Sequence, residues 1–135
     1  MAAPLKTLDF VITAGKKLKP IAFTWGIKNA STGVVTPNNP TGYILRINVR
    51  SNALSDVLIA SFSSVSGEHL GGAEGTITLL GAVTNNITLA MTATETAKLQ
   101  GKAGTYRYDC NWGPSGSDPE PFFTGTITVE DGYTR

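Results

Sequence analysis

Apolar and polar residues alternate strictly along two stretches of the chain, and no other sequence feature limits the possible fold as strongly. The stretches are Tyr43–Arg50 and residues 104–112. Because successive side chains of a β-strand point to opposite faces, a period of two predicts strands with one buried face. The residues predicted to face inward are Tyr43, Leu45, Ile47 and Val49 in the first stretch, and Tyr106, Tyr108, Cys110 and Trp112 in the second.

Further short stretches are rich in Val, Ile and Thr, whose branched side chains pack well on a pleated sheet. They are residues 8–13, 21–28, 57–62, 76–80, 87–91 and 122–129. Alternation in 21–28 places Ile21, Phe23, Trp25 and Ile27 on one face, with Trp25 as the largest core candidate. Alternation in 122–129 places Phe123 on the buried face and Phe122 on the other.

The number and spacing of these strands predict the fold class. About eight strands at intervals of roughly 8–15 residues indicate an all-β fold, an antiparallel sandwich or barrel, and we predict an antiparallel β-sandwich of two sheets. One short helix is expected around residues 93–100, because Thr92 followed by Glu95 fits a capping box. Residues 29–42, 66–75 and 113–121 are typical of loops. We expect residues 1–7 to form a flexible N-terminal arm and residues 8–135 to form a single sandwich domain.

Composition argues against several classes of protein. The chain has 135 residues, a net charge of +1 and only 16% charged residues. It therefore lacks the basic excess of a nucleic-acid binder and the high charge of a disordered tail. Its single cysteine leaves no disulfide framework. The longest apolar run, residues 57–60, is far shorter than the ~20 residues of a membrane span. With no secretory signal visible, we expect synthesis in a reducing cytoplasm.

The sequence offers little for catalysis. His69 is the only histidine, and its neighbour Glu68 would point to the opposite face of an extended chain, so we expect a solvated loop histidine. Cys110 lies on the apolar side of its strand, where a free cysteine acts as a small hydrophobe. The glycines of residues 67–75 lack the phosphate-loop sequence, and Gly71 and Gly72 are expected to serve a tight turn. We predict no catalytic residue, no cofactor and no enzyme.

Metal-binding and glycosylation motifs are weak. Asp109, Asp118 and Glu120 could bind calcium, but their spacing matches no EF-hand loop, and no metal site is predicted. Asn29 and Asn86 each begin an N-glycosylation motif, a pattern that also occurs by chance.

Two sets of residues could instead form binding surfaces. Lys16, Lys17 and Lys19 could join Arg46 and Arg50 in a basic patch, but no aromatic residues are interleaved with them. A solvated strand face is therefore favoured over a nucleic-acid site. Trp112 and Tyr133 could stack on a sugar ring, although alternation places Trp112 inward.

Several segments, taken in order, resemble small β-sandwich proteins of tailed phages and prophages that are encoded near tail-fibre or baseplate genes. The similar segments are residues 9–16, 40–50, 87–97, 104–109 and 123–129, with Trp25 about ten residues after the first. The N-terminal domain of phage upper-baseplate proteins is similar in outline. Residues 29–39 and 113–121 depart from the compact pattern, as candidate contact loops or as mere insertions.

This resemblance implies a non-enzymatic structural component of a phage particle, in the tail, neck or baseplate, with attachment of fibres as one role. The alternatives are a decoration protein of the capsid and a carbohydrate-binding module that touches the host surface. The expected partners are other virion proteins and repeated copies of the chain itself, with no nucleic acid and no membrane. The expected location is the virion, after synthesis in the host cytoplasm.

Overall fold

The computed structural model describes residues 6–50, 58–68, 70–114 and 120–132. Its strands are β1 (Lys6–Thr7), β2 (Phe10–Thr13), β3 (Leu18–Phe23), β4 (Gly26–Lys28), β5 (Val35–Pro37), β6 (Tyr43–Arg50), β7 (Leu58–Ser63), β8 (Ala73–Leu79), β9 (Ile87–Met91), β10 (Gly104–Pro114) and β11 (Glu120–Glu130). A helix, α1 (Ala93–Thr96), continues into a 3-10 turn, Ala97–Leu99. The fold is thus all-β with one short helix, which confirms the predicted class.

Nine strands form one sheet in the order β1-β11-β10-β6-β7-β8-β9-β3, with β2 also paired to β11. Strands β4 and β5 form a separate two-stranded sheet. Most neighbours are antiparallel, as predicted, but β7 and β8 are parallel, as are β11 and its two partners β1 and β2. The first parallel pair arises because the chain returns to the start of β7 before β8 begins, so that Ala73 lies beside Ala60.

The sheet curls over so that its two ends approach each other and enclose a core between two layers. Phe23 on β3 packs edge-on against Phe123 on β11, with ring centroids 5.4 Å apart. Phe10 on β2 reaches across to Phe62 on β7 in the same way. Ile47 of β6 is fully buried between them. Burying one such side chain contributes roughly 1.5–3 kcal/mol, so this core is the main source of stability.

The two most regular stretches alternate as predicted. Leu45, Ile47 and Val49 of β6 are buried, and Tyr108 and Cys110 of β10 are buried opposite them. In β11 the alternation fails at one point. A bulge between Cys110 and its neighbour leaves Phe122 as an extra residue, so Phe122 packs against Trp112 instead of facing outward as predicted. A bulge shifts the side-chain phase by one residue, which no alternating pattern can reveal.

The predicted strand over residues 21–28 is wrong in its second half. Strand β3 ends at Phe23, the chain turns at residues 24 and 25, and β4 leaves the main sheet to pair with β5. Ile27, which alternation placed on the same face as Phe23, is therefore 68% exposed. The predicted loop over residues 29–42 contains β5 for the same reason.

Strand β8 begins three residues earlier than the predicted stretch 76–80, because Ala73 to Gly75 belong to the ladder with β7. The glycines made this segment look like a loop. Gly75 is required within the strand, since a Cβ atom there would overlap the ring of Phe62. Gly71 and Gly72 have φ angles of 136° and 65°, as their predicted turn requires.

The helix follows β9 where the sequence predicted it. The Thr92 side chain accepts a hydrogen bond from the Glu95 N–H, which forms the expected N-cap. Leu99 is fully buried, and the Thr96 hydroxyl donates to the Lys16 carbonyl at 2.8 Å, so the helix is tied to the β2–β3 connection. Within the described ranges no helix is long and apolar enough to cross a membrane.

The N-terminal end of the described chain lies along β11. Lys6 and Thr7, which the sequence assigned to the arm, pair with Phe123 and Thr124. The arm prediction for residues 1–5 falls outside the described residues. The chain then crosses Gly125, where a Cβ atom would overlap the Leu8 carbonyl, so only glycine lets the two backbones approach this closely.

Candidate functional site

Strands β4 and β5 form a hairpin that stands apart from the main sheet, and we call residues 26–37 the finger. Its tip is closed by Asn29, whose side-chain oxygen accepts from the N–H groups of Ser31 at 2.8 Å and Thr32 at 3.1 Å. Gly33 adopts a φ of 75° in the same turn and donates to the Asn29 carbonyl. These local hydrogen bonds give the finger a defined shape without support from the core.

The finger exposes apolar side chains on both of its faces. Ile27 is opposite Thr36 and Lys28 is opposite Val35 in the ladder, so Ile27 and Val35 point to opposite sides. Ile27 is 68% exposed, Val35 is 43% exposed, and Val34 at the turn is 60% exposed. A hairpin that packed on its own core would bury one face, whereas this one leaves both faces available to other molecules.

The base of the finger is fixed by Asn86, a fully buried polar side chain. Its oxygen accepts from the Trp25 N–H at 2.8 Å, and its amide nitrogen donates to the carbonyls of Trp25 at 3.0 Å and Asn38 at 2.7 Å. The side chain thereby holds both strands of the finger where they leave the nine-stranded sheet, which together with its helix we call the body. Sequence reasoning noticed Asn86 only as a glycosylation motif, and its burial leaves no room for a glycan in this fold.

The loop that carries Asn86 adds two exposed apolar residues at the same end of the molecule. Leu80 is 44% exposed and Val83 is 49% exposed. The loop touches the base of the finger directly, because the Asn85 N–H donates to the Thr24 hydroxyl at 2.9 Å. Exposed apolar groups gathered in one region are typical of surfaces that bind other proteins.

An aromatic cluster of Trp25, Tyr43, Trp112 and Phe122 lies beside the finger base. The Trp112 ring is stacked on Phe122, with centroids 4.1 Å apart, and on Tyr43, with centroids 4.9 Å apart. Trp25 and Trp112 meet edge to face, with centroids 4.6 Å apart. Tyr43 and Phe122 come from the strands on either side of β10, so they approach Trp112 from opposite sides. Both indole faces are engaged, which disfavours Trp112 as a sugar-stacking platform. Tyr133, its predicted partner, lies outside the described residues.

The five basic residues proposed as one patch are divided by the fold. Lys16, Lys17 and Lys19 surround the connection between β2 and β3 and are exposed. Arg46 and Arg50 lie on β6, which three strands separate from β3.

Arg46 is bound in a pair that joins β6 to the segment after β7. Its guanidinium donates to both carboxylate oxygens of Glu68, at 2.6 and 2.7 Å, and the Ser63 hydroxyl donates to the same carboxylate at 2.8 Å. The hydrogen bond from Arg46 lowers the pKa of Glu68 to about 2. We interpret this pair as structural, because two N–H groups of the guanidinium bind both oxygens of the carboxylate.

Cys110 lies in the core as predicted, 1% exposed, and burial raises the pKa of its thiol. A thiol held protonated in this way is a poor nucleophile. Burial likewise raises the pKa of Tyr108, whose hydroxyl donates to the Leu8 carbonyl. Tyr108 thereby ties the chain at Leu8 to β10, and Cys110 packs in the core opposite Ile47 and Phe123.

Of the remaining candidate residues, the structure describes Asp109 and Glu120. Asp109 is exposed and lies opposite Thr124 in the ladder, four residues along β11 from Glu120. Asp118 and His69 lie outside the described residues. Among the residues that the structure describes, no group of three or more His, Cys, Asp or Glu side chains is placed to hold a metal ion.

Comparison with known proteins adds little to this geometry. No family model matches the chain, and no curated protein matches it. A solved structure of murine CRIg is similar over 96% of this chain and 98% of that chain, with 16% identity and a TM-score of 0.42. At this level of likeness nothing follows for the activity, ligand or partners of this chain.

Proposed function

We propose that the chain is a non-enzymatic structural component of a tailed-phage particle, located in the tail, neck or baseplate, where it binds neighbouring virion proteins. The sequence resemblance to phage proteins supports the assignment to a phage particle. The described structure offers a way of binding, because all of its large exposed apolar side chains except Val11 lie on or beside the finger.

The observation that carries the proposal is the exposure of Ile27 and Val35 on opposite faces of the finger. A two-stranded hairpin of this kind is only marginally stable alone, so apolar residues that stay in water bring it no benefit. Their exposure is explained if the finger inserts between two protein surfaces, which would cover its apolar side chains. Inserting the finger into a neighbour buries both side chains at once.

The body of the protein suits repeated contacts of moderate strength. The outer face of β11 presents Thr124, Thr126 and Thr128, which are neutral and partly exposed. Such a face imposes no charge repulsion between neighbouring copies. In an ordered particle each weak contact is reinforced by the high effective concentration of its partners.

Mass spectrometry of purified particles tests the proposal directly. We expect the chain in a fixed ratio to the known tail proteins of the same particle, after washing at high salt. Absence from intact particles would contradict a structural role in the tail and a role in capsid decoration equally.

A pair of variants tests the finger. Ile27→Asp combined with Val35→Asp should lower incorporation at least tenfold while leaving the fold unchanged, because both positions are exposed in the free chain. Thr78→Asp combined with Thr105→Asp is the matched control, since it adds the same two charges to exposed strand positions on the main sheet. Equal incorporation of both variants would show that the finger is not the contact.

Imaging of the particle at residue detail distinguishes the tail from the shell. We expect density for the sandwich at the tail, neck or baseplate with the finger inside a neighbouring protein. Density only on the outer capsid surface would replace the tail location with the decoration role.

A further inference from the structure

The curled sheet is not closed. One end is formed by β1 and β2, which both pair with β11, and the other by β3, which pairs with β9. No ladder joins β2 to β3 among the described strands. The two are linked only by residues 14–17. Each end strand therefore has one side whose backbone N–H and C=O groups have no strand partner, which is the usual template for adding another strand.

A groove of about 440 Å³ lies along this opening and is lined by residues 10, 11, 13 and 16–21. Val11 is 49% exposed on the β2 side, and Ile21 is half-buried on the β3 side. The apolar contribution to the groove therefore comes from both ends of the sheet. An extended chain laid in the groove would cover Val11, which the fold itself leaves in water.

The charge of the groove is uniform. Lys16, Lys17 and Lys19 are exposed in its wall, and none of the residues that line it is acidic. Of the nearby carboxylates, Asp9 accepts from the Thr126 N–H and hydroxyl, and Glu130 lies opposite Thr13 on the far side of β2. Three ammonium groups in a chain whose net charge is only +1 make this the strongest local concentration of positive charge in the described sequence.

The two end strands are not equally suited to accept a partner. Strand β3 contains Pro20, which has no N–H group, and its ladder is irregular between Leu18 and Ile21. Strand β2 has no proline and runs regularly from Phe10 to Thr13. An added strand would therefore bond to β2, and the lysines beside β3 would face its side chains.

We infer that this groove binds an extended segment of another protein, rich in Asp or Glu, which adds as a strand to β2 and places its carboxylates against Lys16, Lys17 and Lys19. The residues before and after the described ranges do not match this description. Residues 1–5 contain no acidic side chain, and residues 133–135 end in an arginine. The inference concerns a different surface from the finger and holds whether or not the finger binds a virion protein.

Fluorescence polarisation with labelled peptides tests the inference. The probe is an acetylated and amidated octapeptide of alternating Glu and Val, which carries four carboxylates and fits an extended conformation. We expect saturable binding with a Kd below about 1 mM, weakened by raised salt. The same peptide with Lys in place of Glu should not bind, and failure of the acidic peptide to bind would overturn the proposal.

Charge variants of the groove locate the binding. Lys16→Glu combined with Lys17→Glu and Lys19→Glu should weaken binding of the acidic peptide at least tenfold. Lys28→Glu combined with Lys102→Glu and Arg107→Glu is the control, because it reverses the same number of charges at exposed residues outside the groove. If the control weakens binding as much as the groove variant, the effect is one of net charge and the site is not where we place it.

Two further measurements separate strand addition from simple attraction of charge. A peptide methylated at every backbone nitrogen keeps the carboxylates but cannot donate hydrogen bonds, so its binding should be lost. Amide hydrogen exchange of the full chain should slow in β2 when the unmodified peptide is added. Equal binding of the methylated peptide, or tighter binding of a single-stranded oligonucleotide than of the peptide, would overturn the inference.

Discussion

Strand β6 and residues 21–28 have nearly the same alternating pattern of apolar residues, yet the two regions differ in which of these residues are buried. In β6 the pattern produces buried Leu45, Ile47 and Val49 along its whole length. In residues 21–28 the pattern holds through Phe23 and then fails, because the chain leaves the sheet and exposes Ile27. Alternation thus predicts which side chains share a face, whereas burial depends on what lies opposite that face.

The physical difference between the two regions is the number of partners. Strand β6 has a strand on each side and a second layer above it, so its inward side chains are buried in the core. Beyond Phe23 the chain has lost the partner β9, and the base of the finger is held by the Asn86 side chain, by the bond from Asn85 to Thr24 and by the packing of Trp25. The following predictions test whether this division between body and finger is real.

The largest effect is expected for Ile47→Ala in β6. Ile47 is fully buried among aromatic and aliphatic side chains, so truncation leaves a cavity in the centre of the body. We expect a loss of about 3–4 kcal/mol in the free energy of unfolding, measured by urea titration with fluorescence. A loss below about 1 kcal/mol would mean that β6 is not in the tightly packed layer.

The next largest effect is expected for Asn86→Ala, which removes the three hydrogen bonds that hold the finger. The Trp25 N–H and the Asn38 C=O would lose the Asn86 side chain as their partner in a partly buried setting, while the Trp25 C=O would keep only its bond from the Asn38 N–H. We expect a loss of about 2–3 kcal/mol. Hydrogen exchange should quicken mainly in residues 24–38, while β6 and β10 stay protected.

The control for this variant is Asn85→Gly at the neighbouring position. Asn85 has a φ of 54°, which glycine adopts without strain, and its side chain is exposed. We expect a change within about 1 kcal/mol and no loosening of the finger. If both variants loosened residues 24–38 equally, the loop backbone and not the Asn86 amide would hold the finger.

These contacts show where prediction from sequence succeeds and where it stops. The strands of the body, the helix after Thr92 and the burial of Cys110 follow from local patterns that do not depend on distant residues. The role of Asn86 depends on Trp25 and Asn38, which are 61 and 48 residues away in the chain. The position of Phe122 depends on a bulge in its ladder with β10. Neither long-range relation leaves a trace in a single sequence.

The finger could have been found in part. Asn29 and Gly33 are typical turn residues, and the Val34-Val35-Thr36 run that follows has high strand propensity. This run was hidden by the polar and proline residues around it, which made residues 29–42 resemble one loop. That both faces of the finger would be exposed depends on its separation from the sheet, which is a tertiary property.

A smaller effect on stability is expected at the outer face of β6, where the sequence analysis predicted that Arg46 would be surrounded by solvent. The hydrogen bond from Arg46 holds the pKa of Glu68 at about 2, below the value near 4.3 of an unfolded glutamate. The stabilisation is therefore fully present above about pH 4.5 and is lost as the pH falls toward 2. Because Arg46 is 37% exposed, solvent screening limits the expected contribution to about 1–2 kcal/mol.

The measurement compares the native chain with Glu68→Gln at two pH values. The difference in unfolding free energy should be about 1–2 kcal/mol at pH 6 and should shrink at pH 2.5, where Glu68 of the native chain becomes partly protonated. A difference that stays constant between these pH values would show that the carboxylate charge contributes nothing and that Gln perturbs the site by shape alone.

The smallest effect is expected for Ile27→Ala, and it completes the comparison with Ile47. The same change that empties a cavity in β6 removes atoms that are already in water at the finger, since Ile27 is 68% exposed. We expect a change within about 0.5 kcal/mol in the isolated chain, measured under the same urea conditions as Ile47→Ala. A loss above 1.5 kcal/mol would place Ile27 against the body and remove the argument that the finger is built to contact another molecule.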